Sequence, residues 1–388
     1  MADIPSFDFD TPTDRRGTAS EKWDRYAGRD ILPLWVADMD FRSPPAVIEA
    51  LHRRVDHGVF GYTAPPHELI ATVLEMLQRE YGWQVPEEWL IWLPGLVCGL
   101  NVTCRAVGDP GDAVATFTPV YPPFFSAPRN ADRELVGVPL LDAGGHWLMD
   151  LAALERAITP RTRLLLLCSP HNPVGRVWSR EEQQALLELA ERHDLVVCSD
   201  EIHAGLVLDE SKRHVPFATL SADAAHRTVT LYAPSKTYNI PGLGCSFAVI
   251  PDDSLRRSFR RAMAGIVPHV NLLGYTATLA AYRDGEPWRQ ALLEYLRKNR
   301  DLVVRMITKM PGLKTWPVES TYLAWIDARG LGVTDPADFF EKAGVGLSDG
   351  APFGAKGFAR LNFGCPRPLL NRALERMQLA VVKNGGGS

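Results

Sequence analysis

A lysine stands directly after one of the apolar segments of this chain. The stretch 233–244 (APSKTYNIPGLG) follows the run 228–232 (TVTLY), so Ser235 and Lys236 fall where a buried strand would end. Burial and charged neighbours lower the pKa of a lysine in such a cleft, which lets it form an imine with an aldehyde cofactor and move protons. On this segment alone, a surface lysine fits equally well.

An aspartate follows a second apolar segment. Asp200 comes at the end of the run 195–199 (LVVCS), where a buried carboxylate needs a cationic partner. A protonated pyridine nitrogen is such a partner, because a carboxylate that holds this proton keeps the ring able to accept electrons. The alternative is that Asp200 is a helix N-cap.

Two further turns carry polar groups that suit a ligand. Asn172 lies in the stretch 169–175 (SPHNPVG) and can donate a hydrogen bond to a phenolic oxygen, although Asn-Pro turns are also common without function. The stretch 94–100 (PGLVCGL) opens a helix, and the free N–H groups at a helix start favour phosphate.

Alternating strands and helices must position these turns. Apolar runs predict strands of a mostly parallel sheet, and Ser179 caps a crossover helix predicted over 180–193. The predicted strands are 113–117, 134–140, 163–168, 195–199, 228–232 and 245–250. Ligands of such sheets bind at the carboxyl ends of the strands, where the four turns fall.

The pattern changes after about residue 286. A long charged helix (287–310), two short strands, a helix near 335–343, a strand near 358–363 and a terminal helix predict a smaller α+β domain. We expect an N-terminal segment 1–45 that contributes to the small domain and the entrance, a large domain 46–285 and a small domain 286–384. We interpret residues 385–388 (GGGS) as an added linker.

Composition limits the classes of function. The chain has 388 residues and a net charge of −4, which disfavours nucleic acid as a partner. It has no apolar run of the roughly 18 to 20 residues that span a bilayer, and its acidic start is unlike a signal peptide, so we expect a cytoplasmic protein with no membrane partner. The six cysteines are widely spaced without a CxxC pair, so we favour buried free thiols over disulfides or a metal site.

The motifs together resemble a known family. Asn172, Asp200 and Lys236 occur in SPHNPVG, SDEIH and SKTYN, and this combination is similar to the aspartate-aminotransferase superfamily, class I/II, of pyridoxal 5′-phosphate (PLP) fold type I. The stretches 32–41, 60–66, 118–124 and 360–367 resemble its MalY/PatB-type cystathionine β-lyase (C–S lyase) branch, and the likeness runs from Phe7 to about Val382. The resemblance implies an α/β protein with a mostly parallel seven-stranded sheet flanked by helices, plus the smaller α+β domain.

The resemblance also implies roles for individual residues. Lys236, Asp200 and Tyr121 are expected to be catalytic: Lys236 carries PLP as an imine, Asp200 pairs with the pyridinium, and Tyr121 stacks on the ring. The other expected cofactor contacts are Val97, Cys98, Asn172, Ser235, His203 and, from the neighbouring subunit of a homodimer with shared active sites, Tyr62. Arg360 is expected to bind the substrate α-carboxylate, unless it forms a surface salt bridge, and Trp35, Ala37 and Asp38 to border the substrate entrance.

Two features depart from the broader aminotransferase pattern. His203 stands where many transaminases have tyrosine, and it contacts the phenolic oxygen, contacts Asp200, or is a core histidine. Gly242 and Gly244 lie where a phosphate-binding arginine often stands. Both features weaken a standard transaminase assignment.

The resemblance implies a C–S β-lyase that cleaves L-cystathionine or related S-substituted cysteines to a thiol, pyruvate and ammonia. One alternative is a class I/II PLP-dependent aminotransferase, since reprotonation at the cofactor would give a keto acid instead. A lesser alternative is a regulatory or binding protein of the same fold, a role that the intact Lys236, Asp200 and Arg360 disfavour.

Overall fold

A seven-stranded sheet forms the centre of the computed structural model, which describes residues 7–385. Its strands, in the spatial order β2-β10-β9-β8-β7-β3-β4, are all parallel except β10, which is antiparallel to both of its neighbours. The strands are β2 (Leu90–Leu93), β3 (Ala113–Thr118), β4 (Glu134–Pro139), β7 (Thr162–Cys168), β8 (Val196–Asp200), β9 (Thr228–Tyr232) and β10 (Ser246–Val249). This confirms the predicted α/β fold.

The six predicted strands are all present, and a seventh, β2, was not among the runs singled out. β2 is only four residues long and pairs with the edge of the sheet through β10. A short apolar segment of this kind carries no periodicity that separates a strand from a buried helix segment.

The register of the central strands brings their chemical groups to one edge. Cys168 at the end of β7 pairs with Asp200 at the end of β8, and Asp200 pairs with Leu231 of β9. β7, β8 and β9 are apolar almost throughout and buried on both faces, as strands of covered parallel sheets are. The turns after all three strands therefore meet above the same edge.

Helices cover the sheet, and several begin with side-chain caps. Ser179 and Glu182 form a capping box at the start of the crossover helix, which confirms the helix predicted there. The helices are α1 (Glu21–Asp24), α2 (Pro45–Asp56), α3 (His67–Tyr81), α4 (Leu96–Ala106), α5 (Pro123–Arg129), α6 (Leu151–Ala157), α7 (Arg180–Arg192), α8 (Ala222–His226), α9 (Asp253–Met263), α10 (Leu272–Asp284), α11 (Glu286–Ile307), α12 (Pro336–Lys342) and α13 (Arg367–Gly385).

A second, antiparallel sheet has the order β11-β12-β15-β14 and packs with the last three helices, α11, α12 and α13. Two small pairs complete the chain, β1 with β13 and β5 with β6. The remaining strands are β1 (Leu32–Pro33), β5 (Leu141–Asp142), β6 (Trp147–Leu148), β11 (Lys314–Thr315), β12 (Leu323–Asp327), β13 (Val345–Gly346), β14 (Ser348–Asp349) and β15 (Phe358–Asn362). The pairing of β1 with β13 joins the N-terminal segment to the C-terminal part of the chain that also forms the second sheet.

The C-terminal helix extends one residue into the segment 385–388 that was predicted to be a linker. α13 continues through Gly385, so the first of the four linker residues is helical. The other three, 386–388, lie outside the described residues. Within residues 7–385 no helix is both long and apolar enough to cross a membrane.

Candidate active site

A cavity of about 670 Å³ lies at the carboxyl ends of β7, β8 and β9. Its wall includes residues from the large sheet's turns, from the segment 35–38 and from the second sheet. The predicted site residues on the wall are Trp35, Ala37, Asp38, Val97, Tyr121, Asn172, Asp200, His203, Ser235, Lys236 and Arg360. Parts of the chain more than 300 residues apart are therefore brought to one place.

Lys236 projects into this cavity, so its interpretation as a surface lysine is wrong. Its Nζ donates a hydrogen bond to the Ala37 carbonyl oxygen at 2.6 Å. Burial lowers the pKa of Lys236 to about 8; the Arg360 guanidinium lowers it further, while Asp38 and Asp200 oppose the shift. A lysine with this pKa is substantially neutral near pH 8 and available as a nucleophile and base.

Asp200 is buried at the end of β8, and one of its carboxylate oxygens is left without a partner. Oδ1 accepts a hydrogen bond from the Ile202 N–H at 3.1 Å, and no donor among residues 7–385 meets Oδ2. The short helical turn after it, Ala204–Leu206, has no side-chain cap, so the N-cap interpretation is wrong. Burial raises the pKa of Asp200 to about 7. The carboxylate therefore lacks the cation that would stabilise its charge.

Arg360 is buried on β15, and among the described residues no carboxylate pairs with it. The surface salt bridge considered as its alternative is therefore wrong. Its NH1 donates to Asn172 Oδ1 at 3.1 Å and its NH2 to the Trp35 carbonyl at 3.0 Å, while its Nε has no partner. Burial lowers the pKa of Arg360 to about 10. A buried guanidinium with an unused donor fits a carboxylate ligand.

Asn172 is oriented by Arg360. Because a guanidinium only donates, the amide oxygen must face Arg360, and the amide NH₂ group is left to donate elsewhere. This is the donor that the sequence analysis expected. The backbone of Asn172 also holds Tyr121, whose N–H donates to the Asn172 carbonyl at 3.1 Å. Burial raises the pKa of the Tyr121 hydroxyl, so Tyr121 stays neutral.

His203 is buried on the cavity wall with an unpartnered Nδ1. A core histidine with satisfied nitrogens is therefore excluded, and no hydrogen bond joins His203 to Asp200 within the described chain. Burial lowers the pKa of His203 to about 3, with Lys236 and Arg360 adding to the shift. The imidazole is neutral and packs edge-on against Tyr322, with ring centroids 6.4 Å apart.

The start of α4 presents free backbone donors to the cavity. The helix begins at Leu96, within the stretch 94–100 that was expected to open it, and its first backbone hydrogen bond runs from Gly99 N to Gly95 O at 3.2 Å. No side chain caps it, so the three preceding N–H groups, including those of Val97 and Cys98, lack acceptors within the described chain. Residue 99 lies within the helix and packs closely on the sheet. A Cβ at this position would stand 2.9 Å from Leu231 Cδ2, which explains the glycine. This close packing brings the positive helix end to the edge of the sheet.

Residues that sequence analysis missed hold the segment above Lys236. Tyr322 donates to the same Ala37 carbonyl as Lys236, at 2.8 Å. Asn239 accepts from Met39 N at 2.9 Å and donates to Met39 O at 2.9 Å, while Asn362 donates to Asp38 O at 2.7 Å. Asn362 was detectable in principle, because residues 360 and 362 of a strand share one face.

A buried ion cluster supports the same segment from below. Lys22, which is fully buried, donates to Asp40 Oδ2 at 2.7 Å, and Arg15 donates to Asp38 Oδ2 at 2.6 Å and to Asp40 Oδ1 at 2.8 Å. No sequence pattern indicated this cluster, because a lysine in the first turn of a helix is usually solvated.

Two predicted cofactor residues are not on the cavity wall. The Cys98 side chain is partly buried away from it, so only its backbone N–H remains a candidate contact. Tyr62 is fully exposed in the irregular segment 58–66 of its own chain. The other cysteines are buried, and all six are free thiols.

The residues present fit PLP. The uncapped start of α4 and the Ser235 hydroxyl, which has no partner among residues 7–385, suit a phosphate. Asp200 offers an unpaired carboxylate oxygen to a pyridinium, and Lys236 offers an amine to an aldehyde. A ligand that bound all of these atoms would give hydrogen-bond or ionic partners to most of the unpaired polar groups of the cavity.

Known proteins are similar to this chain over nearly its whole length. Cystathionine beta-lyase PatB from Bacillus subtilis (strain 168) is 40% identical and matches 96% of this chain and 99% of its own. A crystal structure of OvoB is 49% identical with a TM-score of 0.95, covering 97% of this chain and 99% of its own. A crystal structure of cystalysin from Treponema denticola, which contains a pyridoxal 5′-phosphate cofactor, is 34% identical with a TM-score of 0.93 and covers 98% of this chain and 100% of its own.

A family model described as aminotransferase class I and II matches residues 29–377. This range includes the strands, the turns and every residue of the cavity wall except Glu21. The chain belongs to the class I and II aminotransferase family.

Proposed function

We propose that this chain is a PLP-dependent carbon–sulfur β-lyase that converts L-cystathionine, or a related S-substituted L-cysteine, to a thiol, pyruvate and ammonia. The observation that carries the proposal is the placement of Lys236, Asp200 and the unpaired Arg360 on one cavity wall. The choice of elimination over transamination is supported by the relative named cystathionine beta-lyase.

Arg360 binds and orients the substrate. Arg360 lines the cavity and its Nε has no partner among residues 7–385. A planar guanidinium forms two parallel hydrogen bonds with a carboxylate. An L-cysteine derivative held by its α-carboxylate at Arg360 directs its amino group and Cα toward Lys236. The bound α-carboxylate then offsets the desolvation free energy that burial of the Arg360 guanidinium costs.

Lys236 moves the proton. Its lowered pKa places the neutral amine in reach of physiological pH, so Nζ can take the proton from Cα. PLP, when bound, supplies a protonated ring that accepts the electron pair left at Cα. The pair at Cα then forms a Cα=Cβ double bond as the Cβ–S bond breaks, the thiolate leaves with the electrons of that Cβ–S bond, and hydrolysis of the remaining three-carbon fragment gives pyruvate and ammonia.

Other residues hold the cofactor in this proposal. Asp200 keeps the ring nitrogen protonated, the Asn172 NH₂ group and His203 face the phenolic oxygen, and Tyr121 covers the ring. Ser235 and the backbone N–H groups of Val97 and Cys98 hold the phosphate. Trp35, Ala37 and Asp38 border the entrance.

A homodimer with shared active sites is also part of the proposal. Val59, Phe60 and Tyr62 expose apolar surface next to one another, with Tyr62 fully exposed. A second copy that covers this segment would bring Tyr62 to the phosphate of its partner. The domain division at 46–285 and 286–384 is proposed on the separate sheets that these ranges contain.

The reaction is tested by pyruvate release from PLP-loaded protein given L-cystathionine without any keto acid. We expect turnover that is lost in Lys236→Ala and kept in Lys309→Ala, an exposed lysine outside the cavity. Release of pyruvate only after a keto acid is added would replace elimination by transamination. No amino-acid turnover by either route would contradict the enzyme assignment.

Shared active sites are tested by mixing two inactive variants, Tyr62→Ala and Lys236→Ala. A mixed dimer then contains one site with both substitutions and one site with neither. Recovered activity after unfolding and refolding the two together supports shared sites. No recovery, with mixed dimers demonstrated by mass, contradicts them.

A further inference from the structure

The cavity wall carries five charged side chains, and four of them have an evident partner or task. Lys236 and Arg360 are the two cations, and Asp38, Asp200 and Glu21 are the anions. The proposed function uses Lys236, Arg360 and Asp200 directly. Asp38 has partners within the chain, and Glu21 is the remaining charged side chain.

Asp38 is already neutralised by the chain itself. Arg15 donates to both of its carboxylate oxygens, Oδ1 at 3.2 Å and Oδ2 at 2.6 Å, and Lys22 Nζ lies 3.7 Å from Oδ1. Two cations close to one carboxylate leave little charge to attract a ligand.

Glu21 has no such partner. Within residues 7–385 its carboxylate forms neither a hydrogen bond nor an ion pair, and the residue is exposed while lining the cavity. An exposed glutamate is negatively charged at neutral pH. Glu21 is thus the one charged group of the wall that neither the fold nor the proposed chemistry uses.

The backbone of Glu21 is held in place by its neighbours. The Ser20 side chain accepts from Trp23 N at 3.4 Å, and Trp35 Nε1 donates to the Lys22 carbonyl at 3.1 Å. Lys22 is anchored in the buried ion cluster below. A carboxylate on such a fixed backbone can distinguish ligands, because little conformational entropy is lost on binding.

Glu21 lies on the cavity wall together with Tyr121 and Arg360. Its charge acts on the Tyr121 hydroxyl and adds to the rise in the pKa of that group. Tyr121 belongs to the turn after β3 and Glu21 to the N-terminal segment, so both border the space that a substrate bound at Arg360 would fill.

We propose that Glu21 determines substrate specificity by binding a cationic group on the sulfur substituent. The preferred substrates are S-substituted L-cysteines whose leaving thiol carries a positive charge, such as an ammonium group. This inference rests on the proposed function, because it names the substrate class of the same site. A negatively charged substituent is disfavoured at the same position.

The test compares three substrates of similar size: S-(2-aminoethyl)-L-cysteine (cationic), S-propyl-L-cysteine (neutral) and S-(2-carboxyethyl)-L-cysteine (anionic). We expect kcat/KM of the PLP-loaded enzyme to favour the cation over the neutral analogue by about three- to fivefold, as an exposed charge pair allows. Glu21→Gln removes this preference by lowering kcat/KM for the cationic substrate. Glu21→Lys shifts the preference to the anionic substrate.

Controls separate this inference from the proposed function. Glu88→Gln, an exposed glutamate outside the cavity, keeps the preference of the unaltered enzyme. Added salt weakens the preference, since it screens a partly exposed pair. Equal turnover of all three substrates, or an unchanged preference in Glu21→Gln, overturns the role of Glu21. Absence of pyruvate from every substrate overturns the proposed lyase function instead.

Discussion

Arg360 and Asn172, both on the cavity wall, form a hydrogen bond in which Arg360 NH1 donates to Asn172 Oδ1 at 3.1 Å. Arg360 belongs to the second sheet and Asn172 to the turn after β7 of the large sheet. This one contact ties the proposed carboxylate site to the proposed cofactor site. It also fixes which end of the Asn172 amide faces the ligand.

Replacing Arg360 by lysine is expected to weaken substrate binding. Lysine keeps the charge but loses the planar fork and the contacts to Asn172 and the Trp35 carbonyl. We expect kcat/KM to fall about 30- to 100-fold, mainly through KM. Steady-state kinetics measure this, with Arg329→Lys, an exposed arginine, as the matched control. An unchanged KM would exclude Arg360 from carboxylate binding.

Asp200→Asn is expected to stabilise the protein without cofactor at neutral pH. The pKa of Asp200 is raised to about 7, so its ionisation above the unfolded value opposes folding. The wild type should lose stability relative to the variant as the pH rises from about 4 to 7, by up to about 4 kcal/mol, and the difference should be constant above that.

Urea unfolding at several pH values measures this difference, with Asp301→Asn, an exposed aspartate, as the control. Loading with PLP should reverse the order, because a pyridinium would stabilise the charged carboxylate of the wild type. A pH-independent difference would mean that Asp200 does not titrate as an unpaired buried group.

Lys22→Met should destabilise the fold. Among residues 7–385, the substitution leaves the buried Asp40 carboxylate with Arg15 as its only cation, and removing one partner of a buried pair typically costs about 3–5 kcal/mol. The free energy of unfolding measures the loss. Lys342→Met, at an exposed pair with Asp338, should cost under about 0.5 kcal/mol. Similar effects of the two substitutions would contradict the importance of the cluster.

Gly99→Ala should weaken cofactor binding more than it weakens the fold. The added methyl group meets Leu231 Cδ2 at 2.9 Å, so either the buried Leu231 side chain or the start of α4 must shift, and we expect the helix to move because Leu231 is fully buried. We expect the Kd for PLP to rise about tenfold, since the free N–H groups of α4 lose their alignment. Fluorescence titration of cofactor measures this. Gly145→Ala, at a position with open space, should bind PLP like the wild type.

The sequence predicted the large sheet because local patterns define its strands. The apolar runs 163–168, 195–199 and 228–232 are strands within one residue of the predicted bounds. The turn residues after them carry the motifs, so the placement of Asn172, Asp200 and Lys236 at one sheet edge follows from the parallel arrangement of the strands.

The tertiary structure decided which of the alternatives for each side chain is correct. Whether Arg360 is buried without an acidic partner, whether His203 leaves a nitrogen unpaired, and whether Lys236 faces a cavity all depend on segments far away in the chain. The burial of a side chain and the charges around it depend on many residues that are distant in the sequence. A local sequence window does not contain those residues.

The N-terminal segment illustrates the same division. The resemblance to a known family predicted that Trp35, Ala37 and Asp38 border the substrate entrance. Only the folded chain placed Lys22 beneath this segment and Glu21 on the cavity wall, because two adjacent residues of one helical turn point to opposite environments. The sequence by itself thus determined the fold and which polar side chains follow its central strands, while the tertiary structure decided which charges are paired, and hence which remain for a ligand.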